Sequence, residues 1–394
     1  MDDIFNIFNI SWWMDESNHA PEIIDAIIFL LLLAPVAYLL VFTLASLTKQ
    51  RLHTYPPAPV QCKFLVLYCV RRNGAEVIRS IEHFFDAQLY PREMYDIVVA
   101  ASELPEEEFI SLLEMPINIV VPDKENSSKV YSIRQVMERY SPNEYDMVLI
   151  FNSDNRIMPH ALELFNNAYY SGCDAIQGHR MTENLTTPVA IFNAASEEIS
   201  NNIFRKGHTT LNFSAALIGS AIALDFRIFH KLAPTLKGND LSKTLEIALL
   251  RENIYIEYLD EVICYAKKEE SYKEYEQRRN SWRKSRWNSA QYALIHLPVA
   301  FIRGNWDFCN KLVQWLMPSR FILMFLIMVM AACTTLLYWP LSFKWYALLL
   351  GYFFTILLAF PGGAIKSKFF NSFKDIPMLI LRTLFTRKSK ASAS

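Results

Sequence analysis

The sequence predicts an α/β domain, a mostly parallel sheet covered by helices on both faces, carried on a few membrane helices. Three observations predict it. Of the 394 residues 52% are apolar, too many for an average soluble enzyme, while 20% are charged, too many for a pure membrane bundle. Long apolar runs stand near both ends of the chain. Between them, short apolar runs alternate with stretches of helical spacing, as strands and crossover helices do in a parallel sheet.

Residues 26–48 carry no charge and are long enough to cross a bilayer. The run is too long, and too far from Met1, for an ordinary signal peptide. Pro35 is tolerable inside a membrane helix. A buried core helix is the other reading, and the length and flanks argue against it. Runs 321–339 and 345–365, parted by Pro340 and Lys344, read as a tight hairpin of two further spans. Trp339, Trp345 and Tyr346 mark its aromatic interface.

No Lys or Arg precedes Ala26, where the charges are Asp2, Asp3, Asp15, Glu16, Glu22 and Asp25. Lys49, Arg51 and His53 follow the first span, and Lys366, Lys368, Lys374, Arg382, Arg387, Lys388 and Lys390 follow the third. The positive-inside rule then puts 1–25 outside and the central domain, 59–290, and basic tail, 366–394, in the cytoplasm of an inner-membrane protein. Segment 291–318 is amphipathic, with Trp306, Phe308, Leu312, Trp315 and Leu316 among Asp307 and Lys311, and reads as helices lying in the interface. Segment 376–385 invites the same reading. A plain surface helix is the alternative for both.

Net charge is −1, which suggests no nucleic-acid partner. The six cysteines form no CxxC or Cys/His cluster, so zinc has no support, and free thiols suit a reducing compartment.

After the proline-rich linker 55–59, strand-like runs cover 64–70, 96–101, 117–121 and 146–151, and helical spacing covers 76–87 and 131–140. Ligands of such sheets bind beyond the carboxyl ends of the strands, so polar residues directly after a strand carry most weight. Asn152-Ser153-Asp154-Asn155 follows one. A carboxylate there can hold Mg²⁺ or Mn²⁺ and, through it, a diphosphate, although Ser-Asp-Asn is also a good turn. Asp240, in Gly238-Asn239-Asp240, precedes a helical run, where N-capping alone would explain it. Segment 277–287 gathers arginines, Lys284, Trp282 and Trp287, which suit either a diphosphate and a sugar ring or a membrane surface.

In this order the motifs resemble the membrane-bound family-2 glycosyltransferases, the group of cellulose, chitin and hyaluronan synthases and bacterial relatives. The resemblance covers 63–291. It implies a GT-A nucleotide-sugar-binding fold, a mixed and mostly parallel sheet flanked by helices, and metal-dependent, inverting sugar transfer. Arg72 and Asn73 match the family's opening. Ser102 stands where an Asp binds the nucleotide, and Lys129 where a Gly-Lys occurs. Asn152 and Asp154 match Asp-Ala-Asp with its first Asp replaced, leaving Asp154 as metal ligand. Gln177, Gly219, Ser220 and Trp287 fall on the acceptor side, and Asp240 in the place of the base. The closing Gln-x-x-Arg-Trp aligns in two ways. Arg283 to Trp287 keeps the Arg and Trp, making Arg286 the diphosphate ligand. Gln277 to Trp282 keeps the Gln but is one residue too long. The first alignment is preferred. The implied partners are a nucleotide-sugar donor, a lipid-linked or polysaccharide acceptor, the membrane and other polysaccharide-assembly proteins. The changes at Ser102, Asn152 and Arg283 also admit a weakened relative serving as a scaffold of a polysaccharide synthesis or export complex.

Overall fold

The computed structural model describes residues 20–48, 55–123, 128–372 and 374. The N-terminal segment 1–19, the basic residues Lys49, Arg51, His53, Arg382, Arg387, Lys388 and Lys390, and the expected interface segment 376–385 lie outside these.

One mixed sheet of eight strands forms the core, in the order β3-β2-β1-β4-β7-β6-β8-β5. Strands β1 (Phe64–Arg71), β2 (Tyr95–Ser102), β3 (Asn118–Val120) and β4 (Met147–Asn152) are mutually parallel. β7 (Ile222–Asp225) runs antiparallel between β4 and β6 (Ala175–Thr182). β8 (Ile256–Ala266) lies parallel to β6, and the two-residue β5 (Arg156–Ile157) pairs antiparallel at its edge. β1 is almost wholly buried, so its run of apolar residues serves both faces of the sheet.

Helices cover both faces. On one, α2 (Gly74–Ala87) sends Val77, Ile81 and Phe84 inward, and α3 (Glu106–Leu113) and α5 (Ala161–Tyr170) complete the layer. On the other, α4 (Lys129–Met137), α8 (Phe226–Leu232) and α9 (Leu241–Arg251) pack on Leu65, Leu67, Val148 and Ile150. α6 (Pro188–Asn201) starts at a Thr187 cap and continues through a π-helical turn, Asn202–Lys206, into α7 (Gly207–Thr210).

Three helices are long and apolar enough to cross a membrane: α1 (Ala20–Leu47), α12 (Arg320–Leu337) and α13 (Trp339–Leu358). Pro340 sits in the first turn of α13, where no amide bond is lost. Leu39, Ile203, Ile327 and Trp345 share one core, so the spans pack directly on the π-helical turn. A Cβ on Gly207 would come 2.0 Å from the Phe42 carbonyl oxygen, and only glycine admits that approach of α1. Asp25 of α1 accepts from the Trp345 indole at 2.8 Å and pairs with Lys344.

Helix α10 (Tyr272–Ile302) begins well upstream of the expected interface segment 291–318, where its Ser271 cap opens it. The basic-aromatic stretch therefore lies inside a helix. α11 (Trp306–Leu316) follows, then the spans, then α14 (Gly363–Asn371).

Candidate active site

The site grows from the carboxyl edge of the parallel strands. β1 and β2 end in two residues with left-handed backbones, Arg72 (φ 67°) and Glu103 (φ 55°). The Arg72 amide donates to the Ser102 carbonyl at 3.2 Å, and Arg71 and Arg72 both clasp Glu103 at 3.0 and 2.7 Å. This rim borders a cavity of about 660 Å³ whose lining includes Ser102, Lys129, Arg134 and Lys237. No Asp or Glu lines it among the described residues, so it suits an anion with an attached ring.

Lys129 is the hub. It opens α4 behind a Ser128 cap, which points its side chain into the crevice between β1 and β4, where the strand order reverses. Its ammonium donates to Asn152 Oδ1 at 2.6 Å and to the Gly219 carbonyl at 2.9 Å. Burial lowers its pKa, and the Cys69, Asp154 and Asp240 side chains oppose that shift while Arg180 adds to it. One cation thus joins the end of β4 to the loop before β7, within electrostatic reach of two carboxylates.

The Asn152–Asn155 segment is both a turn and a carboxylate holder. Buried Asn155 accepts from the Asn152 amide at 2.8 Å, and the Asn155 amide returns a bond to the Asn152 carbonyl at 3.3 Å. Asp154, half-buried, accepts from Asn155 Nδ2 at 3.3 Å and from the Lys267 amide at 3.1 Å. No group of three or more His, Cys, Asp or Glu among the described residues could form a complete metal cage. A single carboxylate with free lone pairs fits a divalent cation that shares its shell with phosphate oxygens and water. Asn152 Oδ1 is already taken by Lys129. The donor set therefore fits Mg²⁺ or Mn²⁺ arriving with a diphosphate.

The loop before β7 is held from behind. Gln177 on β6 is fully buried; its amide donates to the carbonyls of Gly178 and Ser220 at 2.8 and 2.9 Å and accepts from the Ile218 amide at 3.0 Å. Gly219 (φ 83°) and Ala221 (φ 53°) make the left-handed turns. Ser220 is fully buried and its hydroxyl has no partner. Gln177 and Ser220 thus shape the loop from within the protein, while Gly219 meets Lys129.

Asp240 caps α9, accepting from the Lys243 amide at 3.2 Å, and stays half-buried beside the hub. Both readings of it hold in one place: the cap fixes the carboxylate and leaves its other oxygen available. Further along α9, fully buried Glu246 pairs with Lys243 at 2.8 Å and with buried Lys311 of α11 at 3.0 Å, and accepts from the Leu217 amide at 3.3 Å. One carboxylate ties α9, the loop and α11 together.

The arginines of α10 divide differently from the preferred alignment. Arg286 donates to the carbonyls of Gln314, Trp315 and Met317, satisfying the C-terminal end of α11, and stacks over Trp282. Burial draws its pKa down to about 10. Arg278 instead pairs with Glu269; burial opposes its charge, but Glu269, Glu197 and Asp154 together raise its pKa. Arg278, two turns earlier, is therefore the arginine on the Asp154 side, and Arg286 serves α11. Trp287 is exposed on α10.

Sequence reasoning did not single out Glu246, Lys311 or the buried trio Arg180, Glu197 and Lys268, in which Glu197 bridges the two cations. The isolated charges inside otherwise apolar α11 were the available signal.

No family model matches the chain, and no curated protein matches it. Among solved structures, the mannosyltransferase PcManGT from Pyrobaculum calidifontis, in complex with GDP-Man and Mn²⁺, superposes with a TM-score of 0.56 at 15% identity, covering 92% of this chain and 99% of that one. TarS residues 1–349 from S. aureus gives 0.42 at 11% identity over 82% of this chain and 92% of that one. GalNAc-T7 with UDP, GalNAc and Mn²⁺ gives 0.41 at 8% over 54% and 45%. The chain thus shares the mixed α/β fold of the mannosyltransferase and has three membrane-length helices.

Proposed function

We propose that this protein is an inverting glycosyltransferase that moves a sugar from a nucleotide-sugar donor to a lipid-linked or growing envelope polysaccharide acceptor at the cytoplasmic membrane face. The observation that carries the reading is the Lys129 hub, which sits in a cation-lined cavity within electrostatic reach of two carboxylates, Asp154 and Asp240. The positive-inside bias of the flanks supports the topology, with the N-terminus outside.

In this mechanism the nucleoside fills the cavity past Ser102. The diphosphate meets Lys129 on one side and Arg278 on the other. Asp154 would hold a divalent cation, which supplies charge neutralisation on the leaving diphosphate. Asp240 takes the proton from the acceptor hydroxyl as its oxygen attacks the anomeric carbon in line. The bond to the diphosphate breaks on the opposite face, so configuration inverts. Trp287 offers an apolar face for the acceptor.

The test uses the full chain in detergent with radiolabelled sugar nucleotides and extracted membrane lipids. Asp240→Asn should bind donor normally and lose about 10²–10⁴-fold in turnover. Turnover close to wild type would remove Asp240 from the role. The Asn152–Lys129 bond favours a second reading, a weakened scaffold of a polysaccharide complex, since a carboxylate is missing there. A chain that binds no sugar nucleotide, with or without Mg²⁺ or Mn²⁺, would establish it.

A further inference from the structure

A second cationic cluster stands apart from the donor cavity, where α12 begins. Arg320 Nη2 donates to the Ser196 carbonyl at 2.7 Å and to the Ser196 and Ser200 hydroxyls at 2.9 and 3.1 Å. Its Nη1 is buried with no partner. Ser319 Oγ, at the N-cap of α12, is also buried with no partner and does not cap the helix. An unmet buried donor is costly, and here two stand on consecutive residues.

The neighbours sharpen the chemistry. The Arg279 guanidinium lies 5.3 Å from the centre of the Phe321 ring and donates only to the Tyr275 hydroxyl, at 2.8 Å. Arg279 and Arg320 are close enough to repel each other, and no carboxylate pairs with either among the described residues. Two guanidiniums, an idle hydroxyl and the amides of a helix start all favour an anion with several acceptor oxygens. Phe192 stacks on Phe321 at 5.5 Å, and α12 is long and apolar enough to enter the membrane, so the anion's surroundings are greasy.

We infer that Arg279, Arg320 and Ser319 form a binding site for the phosphate of a membrane lipid. The phosphate accepts from both guanidiniums and the serine hydroxyl, and the lipid chain follows α12 into the bilayer. Arg278, which pairs with Glu269, and Arg279 are consecutive on α10. That the lipid is the sugar acceptor rests on the function proposed above; the phosphate site does not.

The experiment measures binding of farnesyl phosphate, farnesol and phosphatidylglycerol to the full chain in neutral detergent, by native mass spectrometry. Farnesyl phosphate should bind at least tenfold tighter than farnesol. Arg279→Gln and Arg320→Gln should each lose at least tenfold for the phosphate and little for the alcohol. Arg320→Lys should recover part of it. Competition by phosphatidylglycerol identifies a bulk headgroup as the ligand, and no competition identifies an isoprenoid phosphate; either supports the site. Equal binding of alcohol and phosphate, or wild-type phosphate binding in both glutamine variants, overturns it. If Arg320→Gln does not fold, Arg279→Gln decides, since that side chain only touches the surface of its neighbours. Binding needs no sugar transfer, so a chain inactive on every sugar nucleotide still tests this site.

Discussion

The two halves of the sheet use polar residues in opposite ways. On the β1–β4 side, Lys129, Asp154 and Asp240 are only half-buried, and the two carboxylates keep free lone pairs after their structural contacts are counted. On the β6–β8 side and beneath it the polar groups are buried and engaged: Gln177 by loop backbone, Glu246 by Lys243 and Lys311, and Glu197 by Arg180 and Lys268. The first half holds groups free to meet a substrate. The second spends its groups holding the loop, α9 and α11 in place. The contrast separates the residues proposed to do chemistry from those that hold the scaffold, a distinction that residue type does not reveal.

The largest break in this contrast comes from Lys311→Met. It leaves buried Glu246 with Lys243 alone as its cationic partner and should cost about 3 kcal/mol in unfolding experiments in detergent. Activity should fall as well, because the same carboxylate receives the Leu217 amide.

Next is a pH effect on the positioning side. His179 bonds Asp260 at 2.8 Å and Glu198 at 3.1 Å; burial opposes its charge, but the two carboxylates raise its pKa from 6.5 to about 9. Its contribution, about 3 kcal/mol at most, is fully present below pH 6.5 and disappears as pH rises through about 9. His179→Gln should flatten the stability profile across that window, lowering stability below pH 6.5 and leaving it unchanged above about pH 9.

Gly207→Ala tests the join between the halves and the membrane. A Cβ 2.0 Å from the Phe42 carbonyl forces α1 outward, for about 1–3 kcal/mol, visible as faster proteolysis between α1 and β1. The smallest and sharpest test exchanges the two arginines of α10. Arg286→Gln should cost about 1–2 kcal/mol of stability with donor affinity intact, and Arg278→Gln should weaken donor binding about tenfold with little change in stability.

The parallel strands could be read from the sequence because a strand buried on both faces is a continuous apolar run, as in Phe64–Arg71. The polar residues that follow them were found for the same reason. β7 and β8 were not singled out. β7 has four residues, and β8 carries Asp260 and Glu261 beside a register shift at Gly178/His179. The structure occupies Arg286 with the α11 carbonyls, which motif order did not foresee for a geometric reason. Arg278 and Arg286 are eight residues apart, about 12 Å along a helix, and motif order cannot say which turn faces the sheet. The pairing of Glu246 with Lys311 bridges two distant segments, and no local pattern encodes it.

The central claim is that the half-buried hub at Lys129 and Asp154 receives a nucleotide sugar. Calorimetric titration of GDP- and UDP-sugars into the purified full chain, with and without Mn²⁺, tests it most directly. The account predicts saturable binding of at least one donor, strengthened by the cation. Lys129→Met and Asp154→Asn should each weaken it at least tenfold, and Asp240→Asn should leave it unchanged. Donor binding that persists undiminished in both hub variants would contradict the account.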